Sequence, residues 1–268
     1  MVAFQSTIAL RTGNKMPVLG LGTWQLTRDT ADTVRYALEL GYRMIDTSGD
    51  YGTQPAIAEA IGRCAISRQA LYVVTKVEET DDAYRATQKN LAELELEYVD
   101  LMLIHRPPET GVGKELWEGL IQAKRDSLTK DIGVSNYAVE QIRALAGRTS
   151  ELPVVNQIEW TPFGYSRHML DFCQENHIIV QAYSPLTRAE RLQDKTLCDL
   201  ANIYGKTPAQ LLIRWNLQLG TVPLPKANRK EHLKGNLDVF GFRIGHDEMA
   251  ELNALNEHYS SLGSLPYA

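Results

Sequence analysis

Four polar residues of this sequence could together carry acid–base chemistry: Asp46, Tyr51, Lys76 and His105. Three of them directly follow short apolar runs, and the tyrosine lies five residues beyond Asp46. Tyrosine alone, with a pKa of about 10, is a poor acid or base near neutrality. A nearby Lys76 would stabilise tyrosinate and lower that pKa, and Asp46 would keep Lys76 charged. With His105 donating a hydrogen bond to a carbonyl oxygen, the set predicts carbonyl reduction by a cofactor-borne hydride.

Other chemistries have less support in the sequence. The six histidines include no H-E-x-x-H, and no Cys/His cluster is present, so no metal is predicted. Each site residue also has an ordinary alternative, such as a helix cap for Asp46, a solvent-reaching Lys76 or a structural His105. An enzyme that forms a Schiff base on Lys76 is a further alternative, although an adjacent Asp46 would keep that amine protonated.

The elements that must position these residues alternate along the chain. Apolar runs begin near Val18, Tyr42, Tyr72, Val99, Ile132, Pro153, Ile178 and Thr221. Between these runs, apolar residues recur at helical spacing. The predicted helix faces are Val34/Ala37/Leu38, Leu91/Leu94/Tyr98, Val139/Ile142/Ala146 and Leu197/Leu200/Tyr204. Thr207-Pro208 predicts the start of a further helix that continues through Trp215. The fifth run, Ile132-Gly133-Val134, is the shortest.

Eight such units predict an α/β fold, a (β/α)8 TIM barrel, with the site at the carboxyl ends of the strands. A short N-terminal hairpin is expected from Phe4–Arg11 and Lys15–Val18 around Thr12-Gly13-Asn14, and it could plug the bottom of the barrel. The rival is an open doubly wound sheet. Its G-x-G-x-x-G fingerprint begins at Gly20-Leu21-Gly22 but meets Gln25 instead of glycine.

Composition narrows the class of protein. A net charge of −5 argues against a nucleic-acid surface, and no window approaches the roughly 18 apolar residues of a membrane span. Three separated cysteines (Cys64, Cys173 and Cys198) and no signal-peptide core favour a reducing compartment, so a cytoplasmic protein is expected. No stretch resembles a linker, and residues 1–268 are expected to form one domain.

Ordered motifs along nearly the whole chain resemble those of the aldo-keto reductases. They are Gly20-Leu21-Gly22-Thr23-Trp24, Ile45-Asp46-Thr47 with Tyr51-Gly52, Thr75-Lys76, Leu103-Ile104-His105-Arg106-Pro107, Ile132-Gly133-Val134-Ser135-Asn136, Val155-Asn156-Gln157-Ile158-Glu159, Tyr183-Ser184-Pro185-Leu186, Pro225-Lys226 and Asn236-Leu237-Asp238-Val239-Phe240. The resemblance implies a (β/α)8 barrel that reduces aldehydes or ketones with NADPH, and with NADH less well, without a metal. Because the chain ends at Ala268, a long C-terminal loop is not expected, and the compact bacterial type related to diketogluconate reductases is the nearest match.

The resemblance also assigns roles to residues. Tyr51 would be the general acid, Lys76 and Asp46 its tuning pair, and His105 the group that orients the carbonyl. Trp24, Tyr51, His105 and Arg106 would meet the substrate. Gly22, Thr23, Trp24 and Asp46 would contact the cofactor. Its nicotinamide would be held by Ser135, Asn136 and Gln157 at the carboxamide and by Tyr183 stacked on the ring. Ser184, Pro185 and Leu186 would bind the pyrophosphate, and Lys226, Asn228, Arg229, His232 and Asn236 would bind the adenosine phosphate.

Several positions depart from the family pattern. Arg106 replaces the usual aromatic after the catalytic histidine, and it either binds an anionic substrate group or pairs with an acid such as Glu109. His232 replaces an arginine, so a narrower preference for NADPH over NADH is expected. The resemblance further implies a monomer. It leaves a cofactor-sensing regulatory subunit as the alternative to an enzyme.

Overall fold

The computed structural model describes residues 3–26, 29–149, 151–263 and 265–267. Two short antiparallel strands, β1 (Thr7–Ala9) and β2 (Lys15–Pro17), precede eight parallel strands. The parallel strands are β3 (Leu21–Gly22), β4 (Met44–Asp46), β5 (Tyr72–Val77), β6 (Val99–Ile104), β7 (Thr129–Ser135), β8 (Val155–Glu159), β9 (Ile179–Tyr183) and β10 (Val222–Pro223).

The parallel strands lie in sequence order from β3 to β10. The two end strands meet, because the amide of Gly20 donates to the carbonyl of Pro223 at 3.1 Å and that of Gly22 to Pro225 at 3.2 Å. A doubly wound sheet would instead reverse its strand order at a switch point. The predicted barrel is therefore confirmed, and the open-sheet alternative is wrong.

Helices connect consecutive parallel strands, two more follow the last strand, and together they cover the barrel. They are α1 (Thr30–Glu39), α2 (Gln54–Gly62), α3 (Ala83–Leu94), α4 (Lys114–Arg125), α5 (Val139–Thr149), α6 (Arg167–Glu175), α7 (Lys195–Ile203), α8 (Pro208–Leu219), α9 (Lys230–Leu237) and α10 (His246–Asn253). The predicted start of α8 is confirmed: Thr207 accepts from the Gln210 amide in a capping box, and Pro208 opens the first turn.

Three details differ from the sequence expectations. Tyr98 does not share the α3 face, because the helix ends at Leu94 and Glu95 takes a left-handed φ of 51°. The first parallel strand begins at Leu21, three residues after the expected Val18. The fifth parallel strand, β7, covers seven residues rather than the expected three, because the polar segment before Ile132 also pairs with β6.

Two apolar layers hold the barrel. One lies between strands and helices, and the other fills the barrel interior with Met44, Val74 and Leu103. Met16 of the hairpin belongs to the interior cluster and is fully buried. Asp131 of β7 accepts hydrogen bonds from the turn residues Thr12 and Asn14, at 2.7 and 2.9 Å. The hairpin thus closes the bottom of the barrel, as expected, and leaves the carboxyl ends of the strands open for a site.

Among the described residues, no helix combines the length and apolar character needed to cross a lipid bilayer.

Candidate active site

A cleft of about 720 Å³ opens at the carboxyl ends of the strands, where a barrel of this kind places its site. Most of the predicted site residues line it. They are Gly22, Trp24, Asp46, Tyr51, His105, Arg106, Ser135, Asn136, Gln157, Tyr183, Ser184, Pro185, Leu186, Lys226, His232 and Asn236. The cleft size is ordinary for a small-molecule site, which for a pocket is about 300–1,000 Å³.

The floor of the cleft is a buried ion pair between the ends of two neighbouring strands. The Lys76 ammonium donates to both oxygens of Asp46, at 2.9 and 3.1 Å, and to the Thr47 carbonyl at 2.7 Å. Asp46 also accepts from the Gln157 amide at 2.8 Å. All three ammonium hydrogens are therefore engaged, which leaves Lys76 poorly suited to attack a carbonyl as a free amine.

Tyr51 lies on a short 3-10 turn, Gly49–Tyr51, directly above this pair. Its ring centre is 4.9 Å from the Lys76 ammonium and 5.8 Å from the His105 ring, which meets it edge-on. Among the described residues, none forms a hydrogen bond with the Tyr51 hydroxyl. The hydroxyl is thus available to a molecule in the cleft.

Burial raises the pKa of Tyr51 well above its usual value, and the charges of Asp46, Asp50 and Glu78 add to that rise. Arg106 acts in the opposite direction without reversing it. The direction is opposite to the one expected from Lys76 alone, because desolvation is the largest cause and the three carboxylates add to it. Tyr51 therefore carries its proton at neutral pH, as a proton donor must.

His105 directly follows β6, and its amide extends the strand ladder by donating to the Val77 carbonyl at 2.8 Å. Its ring nitrogen Nδ1 lies 2.8 Å from Oε1 of Glu78, a residue that the sequence analysis did not single out. The ligand atoms of Asp50, Glu78 and His105 lie within 4.8 Å of one another. Two ligands of a tetrahedral zinc ion would be about 3.3 Å apart, so 2.8 Å fits a direct hydrogen bond.

A polar network covers the side of the cleft where the nicotinamide carboxamide is expected. Ser135 donates to the Gln157 carbonyl at 2.8 Å and accepts from the Asn136 amide at 3.1 Å. The Tyr183 hydroxyl donates to Asn136 at 2.8 Å. Gln157 is bonded to Asp46 and to Gln181. These side chains fix one another, and Tyr183 is held where its ring forms a wall of the cleft.

The far end of the cleft has unused binding capacity. Nδ2 of Asn236 is buried without a hydrogen-bond partner, although the residue lines the cleft. Gly22 pairs with Asp46 at the opposite end of the cleft, and a side chain is excluded there, since a Cβ would lie 2.7 Å from the Leu224 carbonyl. A buried donor without a partner that lines the cleft fits a bound ligand with a hydrogen-bond acceptor.

Not every predicted cofactor residue lines the cleft. Asn228 and Arg229 are exposed on the segment before α9, with Arg229 at the helix N-cap. Thr23 is buried and donates to the Asp46 carbonyl at 2.8 Å, so its contact with the site is indirect. A cation that the motifs did not indicate, Arg188, does line the cleft, with its guanidinium 5.0 Å from the Trp24 ring centre.

Arg106 has partners on the rim. Its guanidinium lies 3.8 Å from Glu78 and 3.7 Å from Glu79. Pairing with an acid was one of the two roles considered for it, but Glu109 is not the partner found. The guanidinium remains half exposed and can still meet a substrate.

Comparison with known proteins agrees with the geometry. The model of the aldo/keto reductase family matches residues 18–257, so the chain belongs to this family. It is 39% identical over 257 residues to an aldo-keto reductase of Mycobacterium marinum (94% of this chain, 92% of that protein). It is 36% identical over 263 residues to the methylglyoxal reductase DkgA of Escherichia coli (96% and 95%). A solved aldo-keto reductase of Bombyx mori in complex with NADP superposes with a TM-score of 0.91 at 31% identity (97% and 95%).

The family that the motifs indicated is therefore confirmed, and so is the enzyme class, an oxidoreductase. Nothing in the comparisons favours a regulatory subunit.

Proposed function

We propose that this protein reduces aldehydes or ketones to alcohols with NADPH, with Tyr51 as the proton donor. The observation that carries the proposal is the meeting of three groups in one cleft: Tyr51, the buried Lys76–Asp46 pair and His105. NADPH, when bound, supplies a hydride to the carbonyl carbon. Tyr51 gives the carbonyl oxygen its proton, and the tetrad supports that transfer from the floor and side of the cleft.

The residues around the tetrad suit this division of labour. Ser135, Asn136 and Gln157 would hold the carboxamide, and Tyr183 would stack on the nicotinamide and fix the face that delivers hydride. Lys226, Arg188 and His232 would face the phosphates, and Asn236 the adenine. Asn228 and Arg229 remain proposed phosphate contacts, supported by the family motif only. Trp24 and Arg106 would complete the substrate end.

The fold and surface support further parts of the proposal. We propose one domain over residues 1–268, acting as a cytoplasmic monomer. The three cysteines are free, which suits a reducing compartment. Over the described residues, the exposed large hydrophobic side chains are Ile203 and Leu262, and these do not form the contiguous patch typical of an obligate subunit interface.

The test is turnover by the purified chain. NADPH oxidation is followed with a panel of aldehydes, ketones and keto-sugars that includes methylglyoxal, since one relative bears that name. The proposal predicts one alcohol formed per NADPH oxidised, with NADH slower at equal concentration. Tight NADPH binding with no turnover on any member of the panel would instead support a cofactor-sensing protein.

A further inference from the structure

Glu78 is placed by the sheet to act on the reaction centre. It directly follows β5 and lies two residues beyond Lys76, so both side chains point to the same face of the strand. Its amide donates to Asp81 at 2.7 Å, which fixes the backbone at this point. Its carboxylate oxygen Oε1 lies 2.8 Å from Nδ1 of His105 and accepts from Ser48 at 3.2 Å.

The hydrogen in the contact between Glu78 and His105 lies on the imidazole. Partial burial raises the pKa of Glu78, but the hydrogen bond and charge of His105, together with Arg106 and Ser48, bring it below its ordinary value. Glu78 is thus a carboxylate at neutral pH, and a carboxylate only accepts hydrogen bonds. Nδ1 of His105 must therefore be the donor.

This hydrogen has a consequence at the other ring nitrogen. A neutral imidazole with its hydrogen on Nδ1 has a bare Nε2, which can accept but not donate. Nε2 has no hydrogen-bond partner among the described residues, and the ring lines the cleft. To donate to a carbonyl oxygen from Nε2, while keeping its bond to Glu78, the ring must hold a second proton.

Charged groups of both signs lie around the ring. Asp50 lies 3.7 Å from Nδ1 and adds a second carboxylate beside that of Glu78. Arg106, the opposing charge, faces Glu78 at 3.8 Å and Glu79 at 3.7 Å and is half exposed. Tyr51, which faces the ring edge-on, is neutral. The Lys76 charge behind Tyr51 is matched by Asp46.

We propose that Glu78 is a positioning residue for the reaction, which orients His105 through Nδ1 and stabilises the doubly protonated ring that donates from Nε2 to the substrate carbonyl. The catalytic role of Glu78 rests on the proposed carbonyl reduction. The assignment of the hydrogen to Nδ1 of His105 does not depend on that reaction.

The assignment is tested first by nitrogen-15 NMR of the imidazole rings, without cofactor or substrate. The chain has six histidines, and the His105 signals are identified by their loss in His105→Gln. We expect His105 to keep hydrogen on Nδ1 throughout its titration, and Glu78→Leu to move the neutral ring to the Nε2–H form. A wild-type neutral ring with hydrogen on Nε2 alone would overturn the proposal.

Kinetics then test the consequence. In Glu78→Gln the amide oxygen still accepts from Nδ1 but the charge is gone. We expect kcat/KM for reduction to fall about tenfold near pH 8, and its alkaline limb to move about one pH unit lower. Glu78→Asp, which keeps the charge, should retain the wild-type limb. Glu79→Gln is the matched control, because Glu79 also faces Arg106 but does not touch His105, and it should stay within about twofold of wild type.

The outcomes separate the two proposals. If Glu78→Gln behaves as Glu79→Gln does, Glu78 plays no part beyond structure and the inference fails, while the proposed reaction stands. A wild-type chain that reduces no carbonyl compound would contradict the proposed function, and the NMR result would still decide the pairing of Glu78 with His105.

Discussion

The two ends of the cleft are built differently. At the reaction end, Asp46, Lys76 and Gln157 are buried side chains on three different strands. Lys76 and Gln157 both donate hydrogen bonds to Asp46. At the phosphate end, Lys226 and His232 are exposed on loop and helix-start positions, and a buried nitrogen of Asn236 has no partner. The first region is preorganised by the sheet, whereas the second keeps hydrogen-bonding capacity that we propose a bound cofactor uses.

This difference separates catalysis from cofactor affinity. Changes at the reaction end should lower the rate of chemistry and leave cofactor binding nearly intact. Changes at the phosphate end should alter the cofactor Kd with little effect on kcat. A variant that violates this separation would show that the two ends are coupled.

The largest effect is expected for Tyr51→Phe. The phenyl ring keeps its contacts with His105 but cannot give a proton, and general acid catalysis is typically worth about 10²–10⁴-fold. We expect that loss in kcat, with the NADPH Kd nearly unchanged by fluorescence titration. Retention of more than about a third of the wild-type kcat, with chemistry rate-limiting, would remove Tyr51 from the mechanism.

Lys76→Met should reduce both activity and stability. It leaves Asp46 as a buried carboxylate without its cation, which typically costs about 3–5 kcal/mol of unfolding free energy. Activity should fall about 10²-fold or more, since the ammonium below Tyr51 is lost. Denaturant unfolding of the double variant Asp46→Asn/Lys76→Met serves as the control, and it should recover stability without recovering activity. If activity returned with stability, Lys76 would be structural only.

Arg188→Ala tests the phosphate end. Arg188 lines the cleft beside Trp24, as Lys226 also does, and partial burial together with the charge of Arg188 lowers the pKa of Lys226. We expect the NADPH Kd to rise about tenfold, with kcat within about twofold of wild type. Arg191→Ala is the control. Arg191 is on the same segment as Arg188, but it pairs with Glu257 and does not line the cleft. Equal effects of the two variants would contradict the assignment.

His232→Arg should give the smallest effect, and in the direction of tighter binding. Histidine loses its positive charge over about pH 6–8, so a phosphate contact through it should weaken as pH rises. Arginine stays charged and should strengthen NADPH binding by roughly 1 kcal/mol and flatten that pH dependence, with NADH unaffected. Titration of both cofactors at several pH values checks this. An unchanged pH slope would place His232 away from the phosphate.

The sequence predicted the reaction end better than the phosphate end for a physical reason. Asp46, Lys76 and His105 end consecutive strands, and parallel strands carry such residues to one edge of the barrel whatever the loops do. The contact between Glu78 and His105 joins residues 27 apart along the chain, so it depends on how two strands pair. The alternation of Lys76 and Glu78 was a signal for it, but an acid after a strand is also an ordinary turn residue.

The residues of the loops were harder to place. Arg188 lies in a segment where Thr187, Arg188 and Ala189 all take left-handed φ angles, a backbone path that no sequence pattern indicated. The family motif alone indicates Asn228 and Arg229, and the fold leaves both exposed outside the cleft lining.

The most direct test of hydride delivery at the preorganised end uses NADPH deuterated at one or the other C4 hydrogen. With Tyr183 fixing one nicotinamide face toward the tetrad, the account predicts alcohol labelled on its carbinol carbon from one of the two deuterated cofactors and unlabelled alcohol from the other. Label arriving from both, or carbon-bound hydrogen taken from solvent, would contradict direct transfer within this cleft.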